Sequence, residues 1–153
     1  MRLSVDDRSL ARTKMGTISG LIYFETEKGP FPEEGWSDLV VAFARAWIEA
    51  LIRIASTSDR EHVWFMDGPY AVDLSVSDVG TVEARFVHSR LKGDSLLQST
   101  TVAMEDLLSN AITVAERVLV ACKQKGWNNS DIEALVISSK QAKEILSKLG
   151  DRS

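Results

Sequence analysis

The chain reads as an α+β domain on three observations: a strongly apolar helical stretch beginning near residue 40, a close run of alternating segments from Glu61 to Ser89, and two helical stripes after residue 103. The expected order is one strand, a core helix, three or four further strands, and two C-terminal helices. An antiparallel sheet of four to five strands should pack against the core helix. With 153 residues, one core hiding roughly 68 to 70% of the unfolded surface is feasible. No linker, repeat or low-complexity tract divides the chain, so 1–153 is read as a single domain.

Met1 to Met15 mixes charges with single apolar residues and lacks the continuous apolar core of a signal peptide. Gly16 to Glu27 is rich in β-formers and reads as the first strand. Lys28-Gly29-Pro30-Phe31-Pro32 should end it, because two prolines and a glycine oppose both a ladder and a helix interior. Ser37 is then the expected N-cap of the core helix, Asp38 favours the positive end of its dipole, and Trp36 would staple onto Val41. Val40, Phe43, Trp47, Leu51 and Ile54 repeat at helical spacing, with Leu39, Ala46 and Ala50 widening the stripe. Arg45, Glu49 and Arg53 stand four apart on the polar edge and should form a neutralising ladder.

Three strands follow at Glu61 to Met66, Tyr70 to Ser77 and Thr81 to Ser89, separated by the turn signals Asp67-Gly68-Pro69 and Asp78-Val79-Gly80. Residues 95–102 admit two readings. Lys92-Gly93-Asp94 could return the chain as a further strand, or Ser95 with Gln98 could open one long helix. The strand is favoured, since Glu105 and Asp106 resemble the acidic first turn of a helix starting near Ala103. Met104, Leu108, Ala111, Ala115, Val118 and Cys122 form that helix's stripe, and Gly126 stops it. Ser130 and Glu133 then cap a last helix toward Gly150, with a break expected around Ser138-Ser139.

Composition narrows the chemistry. The 44% hydrophobic and 26% charged residues place the chain in the ordinary soluble class, and a lone cysteine excludes an intrachain disulfide and a multi-thiolate zinc site. A reducing cytoplasm is the simplest compartment. No stretch is long and apolar enough for a transmembrane helix. Net charge is −4, but Glu25 to Glu83 holds twelve acidic and four basic residues, a local −8. That is the opposite of a nucleic-acid footprint, and it suits either solubility or steering toward a basic protein.

Candidate catalytic groups are weak. His62 and His88 lie in strands, Cys122 continues an apolar stripe, and Asp67, Asp73 and Asp78 lack the spacing of a calcium loop. Glu33 and Glu34 have nothing to shield them and raise a pKa, while Trp36, Trp47 and Trp64 serve a core more readily than a pocket. Neither a phosphate cradle nor a nucleophile elbow is present. The expectation is a non-enzyme with no cofactor and no metal.

Phe31-Pro32 followed by Trp36 and Asp38, the apolar helix with Trp47, and Phe65-Met66-Asp67-Gly68-Pro69-Tyr70 together resemble small bacterial immunity proteins of polymorphic toxin and contact-dependent growth inhibition systems. The resemblance spans Gly20 to Ser89. It implies a cytoplasmic protein, monomer or homodimer, that binds a cognate toxin domain, often a nuclease, and blocks its active site or substrate approach. It also implies that the shared residues Trp36, Asp38, Asp67, Gly68 and Pro69 are scaffold. Contacts are then expected at exposed acidic positions: Glu33, Glu34, Asp73, Asp78 and Glu83. Two rival readings stand beside it, a small-ligand-binding or enzymatic α+β protein and a self-associating structural module.

Overall fold

The computed structural model describes residues 1–151. It is α+β, with eight strands in two antiparallel sheets and three helices. The first sheet joins β1 (Arg2–Arg12), β2 (Ile18–Thr26), β3 (Gly29–Phe31) and β4 (Ser37–Leu39). Its centre is β2, which pairs with all three others. The core helix α1 (Val40–Ser56) leads to the second sheet, a meander of β5 (Arg60–Trp64), β6 (Tyr70–Asp78), β7 (Thr81–Arg90) and β8 (Gly93–Ala103). Helices α2 (Met104–Gln124) and α3 (Ser130–Gly150) close the chain.

The expected order is therefore present, with β8 taking the strand reading of residues 95–102, but the strands divide between two sheets. One reason is β1, which the sequence reading passed over. Leu3 and Val5 alternate inward as a strand requires, yet the charges at Arg2, Asp6, Asp7, Arg8 and Arg12 and an irregular register between Asp6 and Ala11 hide the period. At that irregularity the Ser9 hydroxyl accepts the Leu21 amide at 2.8 Å, replacing a missing ladder bond. Gly29–Phe31 also pairs with β2, contrary to the expected stop. Its prolyl residue lies on a three-residue edge strand, where a missing N–H is tolerated.

Around the core helix two local expectations are corrected. Ser37 is not the N-cap: Ser37–Leu39 pairs with Leu21, Gly20 and Ser19 of β2, and the cap position falls to Leu39 without a side-chain bond. Nor does Trp36 staple onto Val41. Its ring meets Phe65 and Tyr70 edge-on, at 6.2 and 5.4 Å between centroids. The ladder on α1 is also partial. Arg45 pairs with Glu49 at 3.0 Å, whereas Arg53 reaches Glu61 of β5. The Glu49 hydrogen bond is the main cause holding the Arg45 pKa above its ordinary value.

All five residues of the expected α1 stripe are buried, as are all six of the α2 stripe. The wide apolar face of α1 is covered as its composition demands, by β2, β4, β5, β6 and both later helices. Close approach to β2 needs Gly20, where a Cβ would lie 2.9 Å from the Val40 side chain. Helix α3 runs unbroken through Ser138 and Ser139; the Ser138 hydroxyl donates to Glu49 at 3.1 Å, so a polar residue fits this interface. Its N-cap is Asn129, which accepts the Ile132 amide at 2.8 Å, one residue before the expected cap. Helix α2 lies along β1, and Asn110 clamps both backbone groups of Leu3, accepting its N–H at 2.7 Å and donating to its carbonyl at 3.1 Å.

The two sheets meet in an aromatic cluster. Phe24 of β2 lies within 4.8 to 6.1 Å of Phe43 and Trp47 on α1, Phe65 after β5 and Phe86 on β7. Phe31 adds Phe65, Phe86 and Tyr70. Beside this cluster sits Asp38, 3% exposed and the one buried carboxylate among the described residues. It accepts the Trp36 indole N–H at 3.1 Å, the Leu39 amide at 2.6 Å and, across 29 residues, the Asp67 amide at 3.3 Å. The Trp36 ring in turn closes over Gly68, whose φ of +71° suits glycine and whose added Cβ would come within 2.7 Å of the indole.

Two stability outcomes follow from this junction. Asp38→Ala strands the Trp36 and Asp67 donors and should lower unfolding free energy by about 2 to 4 kcal/mol in urea titration followed by circular dichroism; an unchanged midpoint would refute the role. Gly68→Ala should cost more than Gly35→Ala, for both positions have positive φ but only Gly68 has an obstructed Cβ site. Strain alone is about 1 kcal/mol at each, and equal losses would show that the indole yields freely.

Candidate protein-binding surface

Side chains alternate across each strand, so the register of β5 to β8 sorts this sheet into two faces. Val63, Val72 and Phe86 stand in one row of the inner face and are buried against the aromatic cluster. The outer face carries three rows. Trp64, Ala71, Val87 and Leu96 form the first; His62, Asp73, Arg85 and Ser99 the second; Arg60, Ser75, Glu83 and Thr101 the third.

The first row is apolar from end to end. Ala71 and Val87 are buried between Trp64 and Leu96, which remain 44% and 50% exposed. Such a row on a solvent-facing sheet departs from the usual polar exterior. Its neighbour is charged. His62 meets Trp64 edge-on with 4.7 Å between centroids, and its Nδ1 bonds the Asp73 carboxylate. This bond holds the imidazole in one orientation. Arg85 lies across from Asp73 and 3.9 Å from Glu83. A shallow recess of about 280 Å³ runs between Arg60, Glu61, His62, Asp73 and Arg85.

The five expected contact residues are thus not one patch. Asp73 and Glu83 share the outer face on adjacent rows. Asp78 closes β6 at the turn into β7, where its carboxylate accepts the Val79 amide at 2.8 Å. Glu33 and Glu34 are exposed in the loop from β3 to β4, next to Trp36 and so at the opposite, Gly68 end of the sheet. A strand of nine residues separates the two ends, about 27 Å at the usual rise. Within the acidic run of the sequence, four of the twelve carboxylates are withdrawn or partnered. Asp38 is buried, Glu49 faces Arg45, Glu61 faces Arg53 and Asp73 faces His62.

The remaining candidates are likewise placed. Asp67 lies in the turn between β5 and β6, Asp73 in the middle of β6 and Asp78 at its end, so they do not converge. His88 stacks on Tyr70 at 5.0 Å. The tryptophans part company: Trp47 is 1% exposed in the core, Trp36 half-buried at the junction and Trp64 on the outer face. The Trp64 anchor and the apolar row were missed in the sequence, although Trp64 alternates with Val63 and Phe65; pairing with Val87 and Leu96 needs the register, which sequence period alone does not supply. Compared with protein-family models, curated proteins and solved structures, the chain matches none. Among the described residues no helix is long and apolar enough to cross a membrane.

Cys122 is buried on α2, and that burial pushes its thiol pKa up, opposed in part by the Lys125 charge. A thiol disfavoured as thiolate and shut from solvent is a poor nucleophile. Ellman's reagent should therefore leave it unmodified in the native protein and titrate one thiol per chain in denaturant; prompt native labelling would contradict the packing.

Proposed function

We propose that this protein acts by binding, as an immunity protein that holds a cognate toxin domain and blocks its active site or substrate approach in the cytoplasm. The observation that carries the reading is the outer face of β5 to β8. An aromatic anchor, Trp64, stands on a rigid sheet, continues into an apolar row, and is bordered by the charged row His62, Asp73 and Arg85. Tryptophan and arginine are the residue types that dominate binding hot spots, and a fixed sheet presents them with little ordering cost. Asp73 and Glu83 belong to this surface, while Glu33, Glu34 and Asp78 serve, in this reading, at its two ends as exposed charges that speed encounter with a basic partner. Motif residues Trp36, Asp38, Asp67 and Gly68 maintain the junction behind it. This matches the scaffold role that the sequence resemblance implies for them.

A second reading has one observation in its favour. The recess between Arg60, His62 and Arg85 offers cationic and donor groups for a small anion, opposed by Glu61 and Asp73 in the same lining.

The test is co-purification with the toxin domain encoded beside this chain, together with protection of cells that express that toxin. A stable complex is expected, and Trp64→Ala should weaken it by 100-fold or more while the circular dichroism spectrum of the variant stays native, because Trp64 is 44% exposed on the outer face. No complex, or a complex indifferent to Trp64→Ala, would remove this assignment. Millimolar inorganic phosphate should not raise the melting temperature; a saturable rise lost in Arg85→Ala would move the function to the recess.

A further inference from the structure

An exposed strand edge is a template for another strand, and the edges of this molecule are not treated alike. Strand β1 carries five charged residues and lies along α2. Strands β3 and β4 are three residues each, and β5 is five residues with Arg60, Glu61 and His62 among them. Short length, charge and cover are the devices that keep edges from pairing. Strand β8 is long, uncovered and nearly uncharged, and its irregularity at Leu97 leaves the rest of the edge regular. It is eleven residues long, contains no proline, and has Asp94 as its one charge. It pairs with β7 alone, and not one of its residues is buried.

We infer that β8 is a dimerisation edge, pairing antiparallel with β8 of a second copy of this chain to make one continuous eight-stranded sheet. The strand's own sequence supports a copy of itself as the occupant. Its irregularity falls at Leu97, between the pairs Phe86 with Gln98 and Val87 with Leu96, so Gln98–Ala103 is a regular run. In a two-fold antiparallel pair each side chain must oppose one of its own face. A two-fold axis through Thr100 does this from Gln98 to Val102. Thr100 meets Thr100 of the second copy, Ser99 meets Thr101, and Gln98 meets Val102. No charge opposes a like charge, and the Thr and Ser pairs are of the kind that stabilises neighbouring strands. Asp94 lies outside the run. A closed two-fold also consumes both edges, so no filament propagates. The outer rows of the two copies would then lie on one side of a shared sheet, with Trp64 at each far end.

Sedimentation velocity of the chain alone tests this without any toxin, so its result is separable from that of the binding reading. At about 100 μM the wild type should sediment as a dimer and dissociate on dilution. Ser99→Lys/Thr101→Lys, which sets lysines opposite lysines on an exposed face, should sediment as a monomer with an unchanged circular dichroism spectrum. Thr101→Cys should give a covalent dimer with a short bismaleimide, while the wild type, whose only thiol is buried, should not. A wild type that is monomeric at this concentration overturns the inference and leaves β8 to a different protein's strand. A dimer that survives the lysine pair, or that fails to cross-link at Thr101→Cys, overturns it equally.

Discussion

A carboxylate taken out of water must be met by donors, and the way Asp38 meets that demand organises the molecule. Its oxygens bind the Trp36 indole and the Leu39 amide within its own segment and, across 29 residues, the Asp67 amide of the turn after β5, so one bond ties the first sheet to the second. Leaving any of these donors unpaired in a buried site costs free energy of the order of a whole hydrogen bond or more. The interaction is directional, whereas the hydrophobic contacts around it are not. The Asp38 bond to the Asp67 amide therefore adds a directional tie to a junction otherwise held by apolar burial.

The aromatic cluster supplies the cohesion that Asp38 orients. Phe24 stands at its centre because β2 is the middle strand of its sheet and faces α1 and the second sheet at once. Edge-on packing dominates, with Phe43 and Phe65 the stacked exception at 4.3 Å. Such geometry is favourable beyond area burial and rigid enough to hold a sheet from behind. A surface intended for recognition profits from this arrangement, since the face opposite the cluster inherits its fixed position.

Much of this was legible in the chain. The stripes of α1 and α2 and the turns at Asp67-Gly68-Pro69 and Asp78-Val79-Gly80 follow from periodicity and turn chemistry, which act locally, whereas residues 95–102 admitted both strand and helix until the register with β7 was placed. What was hidden depended on partners distant in sequence. Asp38 has the look of a helix-start acid until the Asp67 amide is placed beside it, and Ser37 of an N-cap until β2 claims it for a ladder. The candidate surface shows the same limit. Asp73, Glu83, Glu33, Glu34 and Asp78 were all singled out by charge, and only the first two share a face of the sheet. Trp64 was weighed as a pocket or core residue because a strand's two faces cannot be ranked until a sheet is assembled.

The clamp of Asn110 on Leu3 carries a consequence for how the polypeptide reaches this state. During synthesis β1 and β2 emerge long before α2, and the helix that seals them is more than a hundred residues away. Contacts of such separation form late and slow the overall rate. The hairpin must wait with its apolar side unsealed, an interval in which chaperones have access to it and aggregation competes. Ribosomal delivery of this hairpin thus runs ahead of its closure by α2.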